Sequence, residues 1–156
     1  RGHFSAALAA EDQLAVFKAA IDHLPVGIAV FDQNYSLLLI NRLLVDWLDF
    51  PLAMFDNKMP TLEEMTLFNA MRGEYGEGDP HLQTKERMAL AQQSLGHRFE
   101  RTRPNGRVYE IIGAPMPNGG FVSIYTDVTE NRKIEVLAPI QFFAFVFLQN
   151  KDLQEK

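Results

Sequence analysis

Apolar residues recur with the period of a helix in some parts of the chain and with the period of a strand in others. Over residues 4–24, apolar side chains recur every three or four positions, which is the period of one face of an α-helix. The narrow seam that they form includes Leu14, Phe17 and Ile21, and such a seam packs against another surface. That surface is either a second copy of the helix or the domain's own sheet. Pro25 ends the predicted helix, because proline cannot donate to the helical hydrogen-bond ladder.

Turn residues and a helix cap place the next elements. Two short apolar runs, residues 26–31 and 35–40, are joined by the polar residues 32–34, and this pattern predicts a β-hairpin. Asn41 follows the second run at a position where its side chain can cap a short helix. We expect that helix to end before Pro51.

Two further helices have well-marked starts. Thr61 and Glu64 fit a capping box, which predicts a helix that runs to about Arg72. Asp79 is a good N-cap and is followed by proline at the first helical position, where proline is favoured. The spacing therefore predicts a longer helix over residues 80–95, ended by the glycine that follows.

Beyond that glycine the apolar period changes to two. Three β-rich runs, residues 97–103, 107–114 and 120–126, are separated by two Pro-Asn-Gly turns, which is typical of an antiparallel meander. Two strands, a group of helices and three strands in this order predict an α+β domain. Its single sheet has an inner face that the helices cover.

Composition narrows the class of protein. The chain of 156 residues has no cysteine, is 47% hydrophobic and carries a formal net charge of -5. The lack of cysteine excludes a disulfide scaffold, thiolate zinc sites, iron–sulfur ligation and cysteine nucleophiles. The negative charge argues against broad binding to nucleic acid, which needs a surplus of Lys and Arg. No apolar run approaches the ~20 residues of a membrane-spanning helix, and no secretory signal is evident, so we expect a cytoplasmic protein without a membrane partner.

Several short segments of the sequence are similar to those of a known protein family. They are residues 24–32 (LPVGIAVFD), 40–42 (INR), 72–76 (RGEYG), 78–80 (GDP), 99–106 (FERTRPNG) and 125–130 (YTDVTE). In this order, and over roughly three quarters of the chain, they resemble a PAS domain of the kind joined to bacterial histidine kinases and diguanylate cyclases.

The resemblance implies an architecture and a division of the chain. The implied fold is a five-stranded antiparallel sheet with short helices on one face, flanked by N- and C-terminal helices. The PAS domain would occupy residues 25–127, after a helical extension, 1–24, and before a signalling helix and apolar tail, 128–156. No ligand is implied, because the family binds haem, flavin, organic acids, metals or nothing.

The residues at the end of the last predicted strand form a candidate signalling hinge. Asp127 can cap the following helix, and Glu130 can reach back from the third helical position. The resemblance implies that Asp127, Thr129 and Glu130 form the joint through which a change in the sheet passes to an exit helix.

The resemblance also implies a small pocket under the helices. Nine residues are candidates for its lining: Trp47, Phe68, Tyr75, Met88, Phe99, Arg101, Tyr109, Phe121 and Tyr125. Aromatic residues in a small domain also form its core, so both interpretations stay open. Arg101 would either pair with a carboxylate such as Glu110 or hold an anionic group of a ligand. We expect Arg107 to be solvated and the loop of residues 73–78 to be a flexible rim of the pocket.

Chemistry-bearing motifs are scarce. The sequence has no nucleophile elbow, zinc-protease, phosphate-loop or kinase signature, so we predict no catalytic residue and no metal site. His81 shares a helical stripe with Thr84 and Met88 and resembles a proximal haem ligand in placement. Its position in the first turn, near the surface, makes haem an unfavoured cofactor. The cofactor is left unknown, and the lack of cysteine excludes a flavin adduct.

These observations predict a homodimeric sensory module that is not itself an enzyme. We expect Arg1 to begin a fragment of a longer protein whose covalently attached output domain is a histidine kinase or a cyclic-dinucleotide enzyme, with a small molecule as a possible ligand. Two alternatives stay open: a ligand-free dimerisation or docking module, and a small isomerase-like α+β enzyme. The aromatic-rich residues 138–156 are either a native linker that docks on a surface or an added tail.

Overall fold

The computed structural model describes residues 10–93, 96–117 and 119–130. In chain order the elements are α1 (Ala10–Asp22), β1 (Gly27–Phe31), β2 (Leu37–Ile40), α2 (Arg42–Trp47), a 3-10 helix (Leu52–Phe55), α3 (Leu62–Met71), α4 (Pro80–Ala91), β3 (His97–Thr102), β4 (Val108–Pro115) and β5 (Phe121–Asp127). The predicted parts of the terminal helices and tail at residues 1–9 and 131–156 lie outside the described residues.

The five strands form one antiparallel sheet in the order β2-β1-β5-β4-β3. This confirms the predicted α+β fold with five strands and with short helices on one face. The last strand lies at the centre of the sheet, because β5 pairs with β1 on one side and with β4 on the other. Strand β5 therefore joins the two halves of the sheet.

Local capping chemistry fixes the starts of the helices that cover the sheet. The Thr61 hydroxyl accepts from the backbone N–H of Glu64, whose carboxylate accepts from the backbone N–H of Thr61, which confirms the capping box. Asp79 caps α4 ahead of a proline at its first turn, as predicted.

The end of α4 differs from the prediction. The helix ends at Ala91, and the backbone N–H of Gln92 donates to carbonyls of its last turn. The predicted end at residue 95 is therefore wrong by about one helical turn, and the C-cap is Gln92 and not a residue followed by glycine. The 3-10 helix that begins after Pro51 was also absent from the prediction.

Buried Asn41 ties α2 to the first strand. Its side-chain oxygen accepts from the backbone N–H of Leu44 at 3.1 Å, as an N-cap does, and from that of Ile28 at 3.0 Å. Its side-chain nitrogen donates to the carbonyl of Val26 at 2.8 Å. The side-chain amide of Asn41 thus caps α2 and also bonds to the backbone at the start of β1. These bonds set the position of α2 over the inner face of the sheet.

Each face of the sheet has its own apolar core, because successive side chains of a strand point to opposite faces. On the inner face, Phe31 packs with Leu44 of α2 and Met65 of α3. On the outer face, Ile28 and Ile124 pack with Ile21 of α1.

Helix α1 therefore uses its apolar seam in two ways. Ile21 is buried on the domain's own outer face, whereas Leu14 and Phe17 are 55% and 38% exposed. The sequence left open whether the seam packs on the sheet or on a second copy. The structure places its C-terminal end on the sheet and leaves its other part accessible.

Candidate functional site

The loop between α3 and α4 is fixed to the sheet by a buried ion pair. Arg103, which follows β3, donates from Nε to Glu74 Oε1 at 2.5 Å and from Nη2 to Glu74 Oε2 at 3.0 Å. Both side chains are buried, with exposed fractions of 6% and 3%. The prediction of a flexible rim over residues 73–78 is thus wrong at Glu74, since a paired buried carboxylate holds that loop in place.

The same arginine reaches the C-terminal end of α2. Arg103 Nη1 donates to the carbonyl of Trp47 at 2.5 Å and to the Asp49 carboxylate at 2.8 Å. Arg72 donates to the carbonyls of Leu48 and Asp49 beside it. The last carbonyls of a helix lack intrahelical partners and carry partial negative charge, so two guanidinium groups are favourable neighbours there.

We call Asp49, Arg72, Glu74 and Arg103 the inner clasp. Burial would raise the pKa of Glu74, but the hydrogen bond and charge of Arg103, with the charges of Arg101 and Arg72, lower it overall. The hydrogen bond to Glu74 raises the pKa of Arg103 against the effect of burial. Both groups are therefore ionised, and the clasp is a structural ion-pair cluster that joins α2, the α3–α4 loop and the sheet.

Arg101 lies two residues before Arg103 and faces the same side of the sheet. The predicted pairing with Glu110 is wrong, because Glu110 pairs instead with Arg98 at 2.8 Å on the opposite face. The Arg101 guanidinium carbon lies 5.6 Å from the centroid of the Tyr75 ring and 6.0 Å from that of Tyr125. Its Nε and Nη2 atoms are buried and have no hydrogen-bond partner among the described residues.

The aromatic pocket candidates make separate contacts on the inner side. Trp47 packs on Tyr109 at a centroid distance of 5.2 Å, and Phe68 packs on Phe50 at 6.0 Å. Phe121 stacks on Phe31 at 4.9 Å. These pairs belong to the inner core or its margin, which is the core interpretation that the sequence left open.

The remaining aromatic candidates and Met88 differ in burial and in their contacts. Tyr75 is half-buried beneath Arg87 of α4, whose guanidinium carbon is 3.4 Å from the ring centroid. Met88 is also half-buried on α4. Phe99 is 46% exposed and stacks on His97 at 5.6 Å. Burial raises the pKa of the Tyr125 phenol, which therefore stays protonated.

A cavity of about 230 Å³ lies at one end of the domain, between the end of α4 and the β4–β5 hairpin. Phe121 is the pocket candidate that borders it, beside Tyr35, Gln92 and His97. The other eight candidates do not line this cavity. The cavity beside Phe121 is therefore separate from the side chains that surround Arg101.

At the opposite end, the chain leaves β5 through a compact hydrogen-bond network. One oxygen of the Asp127 carboxylate accepts from the backbone N–H and the hydroxyl of Thr129, at 3.0 and 2.6 Å. The other accepts from Arg107 Nη2 at 2.5 Å. The Thr129 hydroxyl accepts from the backbone N–H of Val108 at 2.9 Å. We call Arg107, Asp127, Thr129 and the backbone of Val108 the exit latch.

The latch corrects the expectation that Arg107 is solvated. Although the Arg107 side chain is 43% exposed, it contacts Asp127 and lies 3.7 Å from the carboxylate of Glu130. Glu130 is 88% exposed, and its described partner is this arginine. The helix that Asp127 was predicted to cap lies outside the described residues.

The ionisation of Asp127 follows from its contacts. Burial would raise its pKa, but hydrogen bonds from the Thr129 hydroxyl and backbone N–H, with the charge and hydrogen bond of Arg107, lower it. The charge of Asp127 in turn raises the pKa of Arg107. Both groups stay ionised, so the latch is a charge-assisted network at the strand's exit.

The sequence profile of the PAS fold family matches residues 21–136. The chain belongs to this family. Among solved structures, the PAS domain of BvgS from Bordetella pertussis is 21% identical, with a TM-score of 0.53 over 92% of this chain and 98% of that chain. No curated protein matches the chain.

Two further PAS-type structures are similar at lower scores. A domain of a sensory box sensor histidine kinase/response regulator from Geobacter sulfurreducens is 18% identical, with a TM-score of 0.48 over 76% of this chain and 97% of that one. The PAS domain of an HTR-like protein from Haloarcula marismortui is 16% identical, with a TM-score of 0.46 over 75% of this chain and 98% of that one. At these identities the likeness concerns the fold.

Across residues 10–93, 96–117 and 119–130, no three His, Asp or Glu side chains come together as a metal site would require. The side chain of His81 is exposed at the first turn of α4, whereas Thr84 on the same helix is buried. Over those same ranges, no helix has the length and apolar character needed to cross a membrane.

The inner clasp is the feature that sequence reasoning missed. Strand alternation did place Arg101 and Arg103 on one face, and a buried arginine requires an acidic partner. The identity of that partner was not available, because 29 residues separate Glu74 from Arg103.

Proposed function

We propose that this PAS domain is a sensory and regulatory module of a larger signal-transduction protein, joined through the exit latch to an output domain such as a histidine kinase or a cyclic-dinucleotide enzyme. The observation that carries the proposal is the latch itself. The chain leaves the central strand through Asp127 and Thr129, which are bonded to the start of β4. A shift between β4 and β5 would change these contacts before it could reach anything further along the chain.

The helical side of the domain has a direct connection to the latch. Arg103 of the inner clasp and Arg107 of the latch flank the β3–β4 turn, and the backbone N–H of Arg103 donates to the carbonyl of Arg107 at 2.8 Å. A ligand or dimer contact that displaced the α3–α4 loop would act on Glu74, then on Arg103, and then on the turn that carries Arg107. This continuity supports transmission from the inner face to the exit.

We propose a homodimer for the working protein, with Leu14 and Phe17 of α1 in its seam. These side chains follow the three-and-four spacing of a helix interface, and both are accessible. A dimer in which α1 and the exit segments of two copies are aligned would let one domain act on a paired output. A cytoplasmic location is part of the same proposal.

An isomerase-like enzyme is less well supported. Such an enzyme would use a carboxyl with a raised pKa in an apolar cavity. The pKa of the buried Glu74 is lowered instead, by its pairing with Arg103. We therefore propose that the domain regulates and does not catalyse.

A pair of threonine substitutions in the natural full-length protein tests the proposal. Thr129→Val removes the latch hydroxyl with little change of shape, and we expect it to alter the regulation of the output. Thr126→Val is the matched control, because the buried Thr126 hydroxyl has no hydrogen-bond partner among the described residues. If both variants are regulated like the wild type while both remain folded, the latch is not the signalling joint.

A further inference from the structure

Strand β2 forms an open, apolar edge of the sheet. On the side away from β1, Leu37 donates its backbone N–H to the carbonyl of Pro60, and Ser36 lies opposite Thr61. Over the part of the chain that the structure describes, no strand pairs with residues 38–40 on that side. The four residues of β2 are all aliphatic, and Leu38 is 55% exposed. An edge without charge or proline is a template for pairing with a further strand.

The other edge of the sheet is protected against such pairing. Strand β3 carries Arg98, Glu100 and Arg101 among its six residues. Charged side chains on an edge strand oppose the addition of another strand. The contrast between the two edges indicates that β2 is the edge at which this domain receives a cover.

An unused backbone donor faces the open edge. The N–H of Asn41 donates to the carbonyl of Ile28 on β1. Because successive N–H groups of a strand point to opposite sides, the N–H of Ile40 points away from β1. It has no acceptor among the described residues. A further strand at this position would supply one.

A groove follows the same edge between the two layers of the domain. Its cavity of about 260 Å³ is bordered by residues 38–41. Met59, which packs against the inner core, lies on one side of it. On the other side lie three residues of the outer-face helix α1, namely Lys18, Ile21 and Asp22. An added strand would point alternate side chains towards each side, so both of its faces need apolar residues.

One segment of this chain has that composition. Residues 142–148 (FFAFVFL) are the longest apolar run of the sequence and lie outside the described residues. Odd and even positions of the run are both apolar, and aromatic and β-branched residues dominate it. A continuous apolar run of this length is typical of a strand that is covered on both faces. Four phenylalanines in seven residues would invite aggregation if they stayed exposed.

The connection from β5 starts at the correct end of the sheet and is long enough. Because β5 and β2 both run antiparallel to β1, their C-terminal ends lie at the same end of the sheet. Two strand spacings, about 10 Å, separate them across the sheet. The eleven residues 131–141 reach about 36 Å when fully extended and about 17 Å when helical. The apolar run can therefore arrive beside Ile40 and continue antiparallel to β2.

We propose that residues 142–148 of the same chain add to the open edge of β2 as a sixth, antiparallel strand, in the groove between α1 and Met59. The inference goes beyond the proposed function and does not depend on it. Of the two interpretations of residues 138–156, it selects a linker that docks on its own domain. Docking would also hold the residues that follow the exit latch close to the sheet.

Amide hydrogen exchange of the full chain, followed by NMR, tests the pairing. The N–H of Ile40 should be protected in the wild type and should lose its protection in Phe145→Asp, which places a charge inside the segment. Leu153→Asp is the matched control, because it introduces the same charge outside the segment, and Ile40 should stay protected. Protection of the Ile124 amide on the central strand shows that each variant is folded.

The free edge of β3 supplies the reference for an unpaired amide. Arg103 donates its N–H to the carbonyl of Arg107, towards β4. The N–H of Glu100, three residues earlier, therefore points away from β4 and should exchange quickly in the wild type and in both variants. Ile40 exchanging as fast as Glu100 in the wild type would overturn the proposal, as would protection of Ile40 that survives in folded Phe145→Asp.

Cross-linking identifies the chain that supplies the strand. The sequence has no cysteine, so two introduced cysteines are the only thiols. Leu38→Cys combined with Phe145→Cys should give a cross-linked monomer with a short bismaleimide. Phe99→Cys combined with Phe145→Cys is the control, because Phe99 is 46% exposed on the opposite edge strand, and it should not cross-link.

Two cross-linking results would contradict the proposal. A product that forms only between two chains would mean that the strand on β2 comes from a second copy. Equal yields from the Leu38 and Phe99 pairs would mean that the segment is not held at the β2 edge. Either result leaves the proposed function open to its own test, because the threonine variants of the exit latch do not involve this segment.

Discussion

Glu74 and Arg103 form two hydrogen bonds, of 2.5 and 3.0 Å, across a buried contact between the α3–α4 loop and the end of β3. The arginine uses its remaining nitrogen on the end of α2, so a single side chain connects two helical segments with the sheet. This contact sets the position of the helical layer relative to the turn that leads into the exit latch.

Removal of Arg103 should strongly destabilise the domain. Arg103→Met leaves the Glu74 carboxylate buried without its main partner, and breaking a buried pair in this way costs about 3–5 kcal/mol of the free energy of unfolding. Urea unfolding followed by circular dichroism measures the change. Arg98→Met is the matched control, since the Arg98 side chain is 52% exposed and an exposed pair contributes about 1 kcal/mol or less. Equal losses in the two variants would mean that the inner clasp does not hold the layers together.

Acid should weaken the domain through the same carboxylates. The pKa values of Glu74 and Asp127 are lowered in the folded state, so these groups stabilise the fold at a pH above their unfolded values. That contribution is fully present above the usual value of 4.5 for Glu74, and it is lost as the pH falls through the lower folded value. We expect the midpoint of urea unfolding to decrease below about pH 4.5 and to decrease less steeply in Glu74→Gln. A wild-type midpoint that stays constant from pH 6 to pH 3 would contradict this.

The seam of α1 gives a prediction about assembly. Leu14→Glu places a charge in the proposed dimer contact and should shift the protein towards the monomer, because a buried unpaired carboxylate opposes association. Val16→Glu is the control, since Val16 is 61% exposed and lies on another side of the same helix. Analytical ultracentrifugation distinguishes the two species. A dimer unaffected by Leu14→Glu would show that α1 is not its interface.

The sequence predicted local features well, because their signals lie within a few residues. Asn41, the Thr61–Glu64 capping box and Asp79 each bond to a backbone group at most three residues further along, so a short window of sequence contains both partners. The alternation of β3 likewise placed Arg101 and Arg103 together on one face.

Contacts between distant segments were not predictable in the same way. Arg98, and not Arg101, pairs with Glu110 because both lie on the outer face. The register of β3 with β4 sets Glu110 opposite Glu100 and Arg98 opposite Ile112, so Arg98 is the diagonal neighbour of Glu110. Arg107 is bound to Asp127, 20 residues away, for the same reason. The pairing of Glu74 with Arg103 depends on where the α3–α4 loop lies, and no short sequence pattern encodes that position.

The most direct test of the account is the regulation of output in the natural full-length protein that carries Asp127→Ala. Asp127 joins Arg107 and Thr129 in the exit latch, so its loss should weaken the link between the sheet and the residues that follow β5. With an attached kinase, the measurement is autophosphorylation in wild type and variant under conditions that switch the wild type on and off. The account predicts a folded variant whose output no longer responds to the switch. A folded variant with wild-type regulation would contradict it.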